Sequence, residues 1–291
     1  MLNLVLPKGS LEEATLRLFE DADLPVVRSS DVDYRASIED PRVTAVRILR
    51  PQEIPRYVAQ GLFDLGITGR DWIEETGADV VSLTELHYSK ATAHPIRVVL
   101  AVAADAPAQS VSDLPVGVRV HTEYPELTKR YLAEHDIDAQ VTLSYGATEA
   151  KVPDIADAVV EITETGRALR AAGLRIIETM LVSHTELIAS PGAHADPKKR
   201  TAMDELQTLL TGALEARGRV LIKLNVDRAQ LDAVIGLLPA LKSPTVSQLF
   251  GDDAYAVETV VAKTEINTLI PALKQAGATD IIELPLSKIV R

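Results

Sequence analysis

Val159-Val160-Glu161-Ile162-Thr163-Glu164-Thr165-Gly166-Arg167-Ala168-Leu169 joins a β-branched run to a Thr/Gly turn and then to a helical pattern. A strand that opens into small residues at the start of a helix presents unpaired N–H groups at the positive end of the helix dipole. Those are the local requirements of an anion site. Thr163 and Thr165 add hydroxyl donors, and Gly166 lets the backbone approach a phosphate closely. Glu161 and Glu164 have no use in a plain phosphate cradle. They fit a ligand that also carries sugar hydroxyls or a metal ion, and sugar, phosphate and Mg²⁺ together describe phosphoribosyl pyrophosphate. The same stretch read alone is also an ordinary strand-to-helix turn, so the rest of the chain has to decide.

Outward from this turn the same order of elements recurs. An apolar strand over 2–6 is followed by Lys8-Gly9-Ser10 and a helix from Leu11, with Ser10 and Glu13 spaced as a capping box. A strand over 43–49 turns at Arg50-Pro51 into a helix over 54–60. Residues 64–70 read as a strand ending in Thr68-Gly69-Arg70, and Asp71 opens a helix that stops near Gly77. Further on come a strand over 116–121, a Thr122-Glu123-Tyr124-Pro125 turn, a helix over 126–135, a strand near Val141, a helix over 149–155 and the strand before Thr163. Thr68-Gly69-Arg70 and Thr165-Gly166-Arg167 are echoes of one another. Two similar α/β lobes would face each other across a cleft, with ligands at the C-terminal ends of the strands. Residues 94–103 read as a strand leaving the first lobe and 183–190 as the return. The polar, Pro-containing segment 191–200 reads as a loop, and 201–217 has helical spacing.

The last part of the chain reads as a separate unit. Val220, Ile222, Leu224 and Val226 alternate as in a strand. Leu231, Val234, Ile235 and Leu238 follow at helical spacing, then strands over 245–250 and 255–262, a helix marked by Ile266, Leu269, Ile270 and Leu273, and a strand over 281–286. The order βαββαβ is the ferredoxin-like plan. Pro271 sits inside the second helix, which should therefore start later or kink.

Composition narrows the function. At 46% hydrophobic and 25% charged, the 291 residues read as a soluble globular chain of one to three domains. A net charge of -12 argues against non-specific nucleic-acid binding, which needs a basic surface. The absence of Cys removes disulfides, thiolate metal sites and a Cys nucleophile. With no signal-peptide pattern and no apolar run of spanning length, the expected location is cytoplasmic, off the membrane. The six His residues show no ligand spacing; His121 and His135 read as incidental.

Several blocks together resemble one family. Leu6-Pro7-Lys8-Gly9, Leu49-Arg50-Pro51, residues 64–71, Tyr124-Pro125, residues 156–167 and Leu241-Lys242-Ser243-Pro244-Thr245 come in the order and at about the spacing of the long form of ATP phosphoribosyltransferase, the first enzyme of histidine biosynthesis. This chain departs from the family pattern with Glu161 for Asp, Ala168 for Thr and Asp154 for Gly. The resemblance implies two periplasmic-binding-protein-like (type II) α/β lobes with a cleft, plus a C-terminal ferredoxin-like βαββαβ regulatory domain. The lobes are expected at 1–95 (completed by 184–217) and 96–183, and the regulatory domain at 218–291. It implies Mg²⁺-dependent joining of N1 of ATP to C1 of phosphoribosyl pyrophosphate, with release of pyrophosphate and feedback inhibition by histidine. A homo-oligomer of dimers assembling to a hexamer is implied as well.

By the same resemblance, Glu161, Thr163, Glu164, Thr165, Gly166 and Arg167 bind phosphoribosyl pyrophosphate. Lys8, Gly9, Arg50, Gly69, Arg70, Asp71 and Tyr124 line the ATP side, with Glu161, Lys8 and Arg50 catalytic. Mg²⁺ would be held mainly by substrate phosphates, with Glu161 the protein carboxylate able to reach it. Asp227, Leu241, Ser243 and Thr245 would bind histidine. Read locally, Lys8 is also a surface lysine, Arg50 a helix-end ion-pair partner, Tyr124 a half-buried ring, and Asp71 and Asp227 N-caps. The alternative function is a non-catalytic two-lobe solute-binding or effector-sensing protein, since fold alone does not decide chemistry.

Overall fold

Leu2–Pro7 forms β1, buried at every position except Asn3, as an apolar run in the middle of a parallel sheet must be. There follow α1 (Glu12–Asp21), β2 (Arg35–Ala36), β3 (Val43–Leu49), α2 (Ile54–Ala59), β4 (Leu65–Gly69), α3 (Arg70–Thr76) and β5 (Val81–Leu86). The chain then builds β6 (Ile96–Ala103), β7 (Val118–Thr122), α4 (Pro125–Glu134), β8 (Ala139–Leu143), β9 (Ala158–Thr163), α5 (Arg167–Ala171) and β10 (Leu174–Ser183). It returns through β11 (Thr185–Ala189) to α6 (Pro191–Ala195) and α7 (Pro197–Ala216). This computed structural model describes residues 1–30, 33–88, 96–239 and 243–291.

Two α/β sheets result. The first has the order β2-β3-β1-β4-β11-β5, and the second β10-β6-β9-β7-β8. β1 is parallel to β3 and β4, whereas β11 lies antiparallel between β4 and β5. The first lobe is therefore completed by a strand that arrives only after the second lobe has been built. In the second lobe, β6 is buried on both faces. Val98, Leu100 and Val102 pack with Val118, Val120, Val160, Leu127 and Tyr124 on one side. Val99 and Ala101 pack with Val159, Leu169 and Leu174 on the other. Truncating Leu100 to Ala there would cost about 2–5 kcal/mol, the transfer and cavity terms together.

Three local expectations are corrected. Residues 191–195 and 197–200 are helical, because Pro191 and Pro197 each stand at the start of a helix, where a missing N–H costs nothing and the fixed φ is already helical. The helix expected over 149–155 is only the 3₁₀ turn Thr148–Lys151; Pro153 supplies no N–H to continue it. At the start of α1, the acid that caps is Glu12, whose carboxylate accepts from Gly9 N–H at 3.2 Å.

The chain divides into one compact unit of Met1–Glu20 with Leu24–Gln207 and a second of Asp21–Asp23 with Thr208–Arg291. Within that second unit, β12 (Arg219–Asp227), α8 (Leu231–Leu237), β13 (Thr245–Gln248), β14 (Ala254–Ala262), α9 (Ile266–Gln275) and β15 (Thr279–Pro285) give the sheet order β13-β14-β12-β15. All its pairings are antiparallel. The alternating face of β12 is buried with Val234, Leu269 and Leu273. α9 runs through Pro271; Pro271 and Asn267, whose carbonyl the proline leaves without a helical donor, are both exposed, so water can serve that carbonyl. Gly212 of α7 admits the C-terminal tail: a Cβ there would stand 3.1 Å from Val290 Cγ2, and Ile289 N–H donates to Gly212 O at 2.9 Å.

Candidate active site

Lys8 and Arg50 follow neighbouring parallel strands, since Pro7 is paired with Leu49, and Lys8 N–H donates to Leu49 O at 2.7 Å. Two basic side chains thus leave the sheet side by side at its C-terminal edge. The Lys8 ammonium lies 4.2 Å from the centre of the Tyr34 ring, a cation–π contact that steadies a long side chain without neutralising it. Gly9 has φ +84°, which lets the chain turn directly into α1. Gly69 ends β4, the next strand over. Arg70 is already occupied by acids: Glu74 Oε1 at 2.5 Å and Glu186 Oε1 at 3.6 Å.

In the second lobe the Thr/Gly loop follows β9 as expected, but its wiring differs. Gly166 N–H donates to Thr163 Oγ1 at 2.7 Å, and Arg167 N–H points at Thr165 Oγ1 at 3.4 Å. Those amides are not open donors. A hydroxyl that accepts from an amide keeps its own proton to give, so the threonines take over as donors. Gly166 has φ +72°, and a Cβ on it would meet Arg170 Nη1 at 2.8 Å. Its glycine is required by the loop itself, with or without a ligand. α5 is only five residues long, so its dipole contributes little. Arg97, which the sequence reading passed over, is paired directly with Thr163. Cross-strand neighbours share a face, so a guanidinium stands next to the loop.

Glu161 is partly buried, and its Oε1 accepts from Ile162 N–H at 2.9 Å. Burial raises its pKa, and the nearby Glu123 and Glu149 raise it further. Glu123 and Glu149 act on Glu161 as neighbouring like charges, but among the described residues the three carboxylates are not close enough to share one ion.

Tyr124 and Asp71 are placed differently from the expected ATP wall. Tyr124 is 2% exposed, tilted against Trp72 with ring centres 4.5 Å apart, and offers no free face to an adenine. Its hydroxyl donates to Asp71 Oδ2 at 2.8 Å. Asp71 is also buried, with Ser183 Oγ donating to its Oδ1 at 2.7 Å. One residue class was missed entirely: Glu75 of α3 accepts from Leu127 N–H at 2.8 Å and Glu126 N–H at 3.1 Å. It caps the first turn of α4 in the other lobe, and burial raises its pKa. Asp71, Glu75, Tyr124 and Ser183 tie α3 to α4 and β10, across the two lobes.

The residues expected to bind histidine lie in the C-terminal unit. Thr245 is paired with Glu258 and Asp227 with Ala254, so the two stand four residues apart along β14, about 13 Å. One chain does not bring them onto a single small ligand. Asp227 stands at the N-cap position of a 3₁₀ turn, as its local sequence suggested, but makes no side-chain capping bond there. Ser243 and Thr245 are exposed. Leu241 lies outside the described residues.

A family model described as ATP phosphoribosyltransferase matches residues 50–212, and the model of the HisG C-terminal domain matches 216–288. The chain belongs to the ATP phosphoribosyltransferase family. It is 49% identical to the ATP phosphoribosyltransferase of Pelotomaculum thermopropionicum over 290 residues, covering 99% of both chains. It is 50% identical to that of Desulforudis audaxviator over 291 residues, again covering 99% of each. Among solved structures, the ATP phosphoribosyl transferase (HisG:HisZ) complex from Thermotoga maritima superposes with a TM-score of 0.62 at 24% identity. It covers 72% of this chain and 96% of that one, a likeness of fold. Between them the two family models take in most of the two α/β lobes and the C-terminal unit of this chain. Among the described residues no helix is long and apolar enough to cross a membrane.

Proposed function

We propose that this chain is an ATP phosphoribosyltransferase that joins N1 of ATP to C1 of phosphoribosyl pyrophosphate and releases pyrophosphate, the first step of histidine biosynthesis. The observation that carries the reading is the pairing of two built sites in one family member. Lys8 and Arg50 stand side by side at the end of the first sheet, and the Thr163–Arg167 loop with Glu161 ends β9 of the second. A family match along the whole chain disfavours the non-catalytic solute-binding alternative.

Displacement at an anomeric carbon develops positive charge on the ribose and negative charge on the departing pyrophosphate. The chain's task is therefore to position reactants and to place charge. In this reading Thr163, Thr165, Arg167 and Arg97 hold the 5′-phosphate. Glu161 and Glu164 take ribose hydroxyls, and Glu161 faces the developing positive charge. Lys8 and Arg50, with Gly9 and Gly69 giving backbone access, stabilise ATP and the departing pyrophosphate. Mg²⁺ carried by the substrate phosphates would neutralise charge on the leaving group, with Glu161 the protein carboxylate that would reach it. The C-terminal unit takes histidine as a feedback inhibitor, through Ser243, Thr245 and Asp227, the last from a different chain of a homo-oligomer or after rearrangement. The test is spectrophotometric product formation from ATP, phosphoribosyl pyrophosphate and Mg²⁺, with and without histidine. No turnover in folded protein would reject the reading.

A further inference from the structure

The edge of the first sheet carries a cluster that neither catalysis nor regulation uses. In the β5–β11 ladder Leu86 is paired with Thr185 and Glu85 with Glu186. One residue beyond that pairing, His87 follows β5 and His184 precedes β11. Strand alternation places Glu85, His87, His184 and Glu186 on one face. The ligand atoms of Glu85, His87 and His184 all lie within 4.8 Å of one another. His87 Nε2 is 3.6 Å from Glu85 Oε2, and the two imidazole rings stand edge to face with centres 5.3 Å apart.

Two features of this face are unfavourable for the bare protein. Like charges directly opposite in a ladder repel, and Glu85 opposes Glu186. Glu186 is 3% exposed, and its Oε2 is buried with no hydrogen-bond partner among the described residues. Arg70 faces the same region and offsets part of this charge through Glu186 Oε1, but it is shared with Glu74. A second cation would relieve both features.

We propose that Glu85, His87 and His184 bind one divalent transition-metal ion, with Glu186 as the buried carboxylate behind them. Two imidazoles and a carboxylate select ions such as Zn²⁺, Co²⁺ or Ni²⁺ over Mg²⁺, which prefers oxygen ligands alone. Ligand atoms around tetrahedral Zn²⁺ stand about 3.4 Å apart, from metal–ligand bonds of about 2.0–2.1 Å. Closing the present spacing requires only side-chain rotation, and His87 is exposed and free to make it. The site draws on β5 and the start of β11 in the first sheet, whereas Glu161 lies on β9 of the second. The ion would sit where the chain leaves the first lobe after β5 and where it returns before β11, tying the outgoing connection to the incoming one.

The test is Co²⁺ titration of the untagged full-length protein in excess Mg²⁺, read by visible d–d absorption and by calorimetry. One Co²⁺ per chain is expected in the wild type. The His87→Ala/His184→Ala double variant should lose the absorption band, and Glu85→Gln should weaken binding by about tenfold or more. Circular dichroism checks that each variant is folded. If the double variant is not, His87→Ala alone, at an exposed position, gives the same reading. Failure of the wild type to bind Co²⁺ at millimolar concentration, or an unchanged band in the folded His variants, overturns the proposal.

Discussion

The hydroxyl of Tyr124 donates to Asp71 Oδ2 at 2.8 Å, and the two residues belong to different lobes. Tyr124 immediately precedes α4 and Asp71 lies in the first turn of α3. With Ser183 on the other carboxylate oxygen, this bond fixes how the second lobe is carried by the first. Tyr124→Phe removes the donor and leaves a buried carboxylate under-satisfied. The expected result is a loss of about 1–3 kcal/mol in urea unfolding, with ATP affinity near wild type. A large loss of ATP affinity with unchanged stability would return Tyr124 to the ATP wall.

Glu161→Gln should separate function from stability. Burial, Glu123 and Glu149 raise the Glu161 pKa above its ordinary 4.5. A carboxyl raised in the folded state takes up its proton more readily folded than unfolded. Its contribution is full below the unfolded value and is lost as pH rises through the folded one. At pH 7 the ionised group therefore costs stability. The Gln variant should melt higher than wild type at pH 7, and the gain should vanish below the unfolded carboxylate range. Its turnover should fall by about tenfold or more. Thermal melts across pH, paired with rate measurements, check both.

Gly166→Val tests the loop badly, because φ +72° and the nearby Arg170 strain any side chain there without a ligand. It should destabilise the protein outright. Thr165→Ala leaves the backbone untouched at an exposed position. Calorimetry should show phosphoribosyl pyrophosphate affinity lowered about five- to tenfold, the worth of one hydrogen bond, with the melting temperature unchanged. Unchanged affinity would remove Thr165 from the phosphate site.

Ser243→Ala with Thr245→Ala should leave uninhibited turnover and stability at wild-type values, since both positions are exposed. The histidine concentration needed for inhibition should rise about five- to a hundredfold if two hydrogen bonds are lost. Normal inhibition of the double variant in a histidine titration would make this loop structural only.

What was legible in the sequence was whatever depends on neighbours along the chain. The β9–loop–α5 turn was readable because a β-branched run, an acid, two threonines and a glycine are adjacent. The ferredoxin-like order was readable because β12 alternates strictly. What escaped depends on distance. Asp71 and Ser183 are 112 residues apart, so nothing beside Asp71 distinguishes a lobe-joining acid from a ligand or a cap. Tyr124-Pro125 has one appearance whether its ring meets adenine or Trp72. His87 and His184 meet only because β11 is inserted beside β5. The misread 191–200 segment is a local failure: proline marks helix starts as well as loops.

The slot that β11 fills has a consequence for how the molecule is made. Among the described residues β5 pairs with β11 alone, and β4 meets its second neighbour there. Until Ala189 has left the ribosome, the nascent first lobe has an open edge on β4 and an unpaired β5. The second lobe, contiguous from Ile96 to Ser183, has all its strands by then. The later-synthesised lobe can thus finish folding before the earlier one, and the apolar residues Leu65 and Ile67 must be shielded meanwhile, by the cell or by speed.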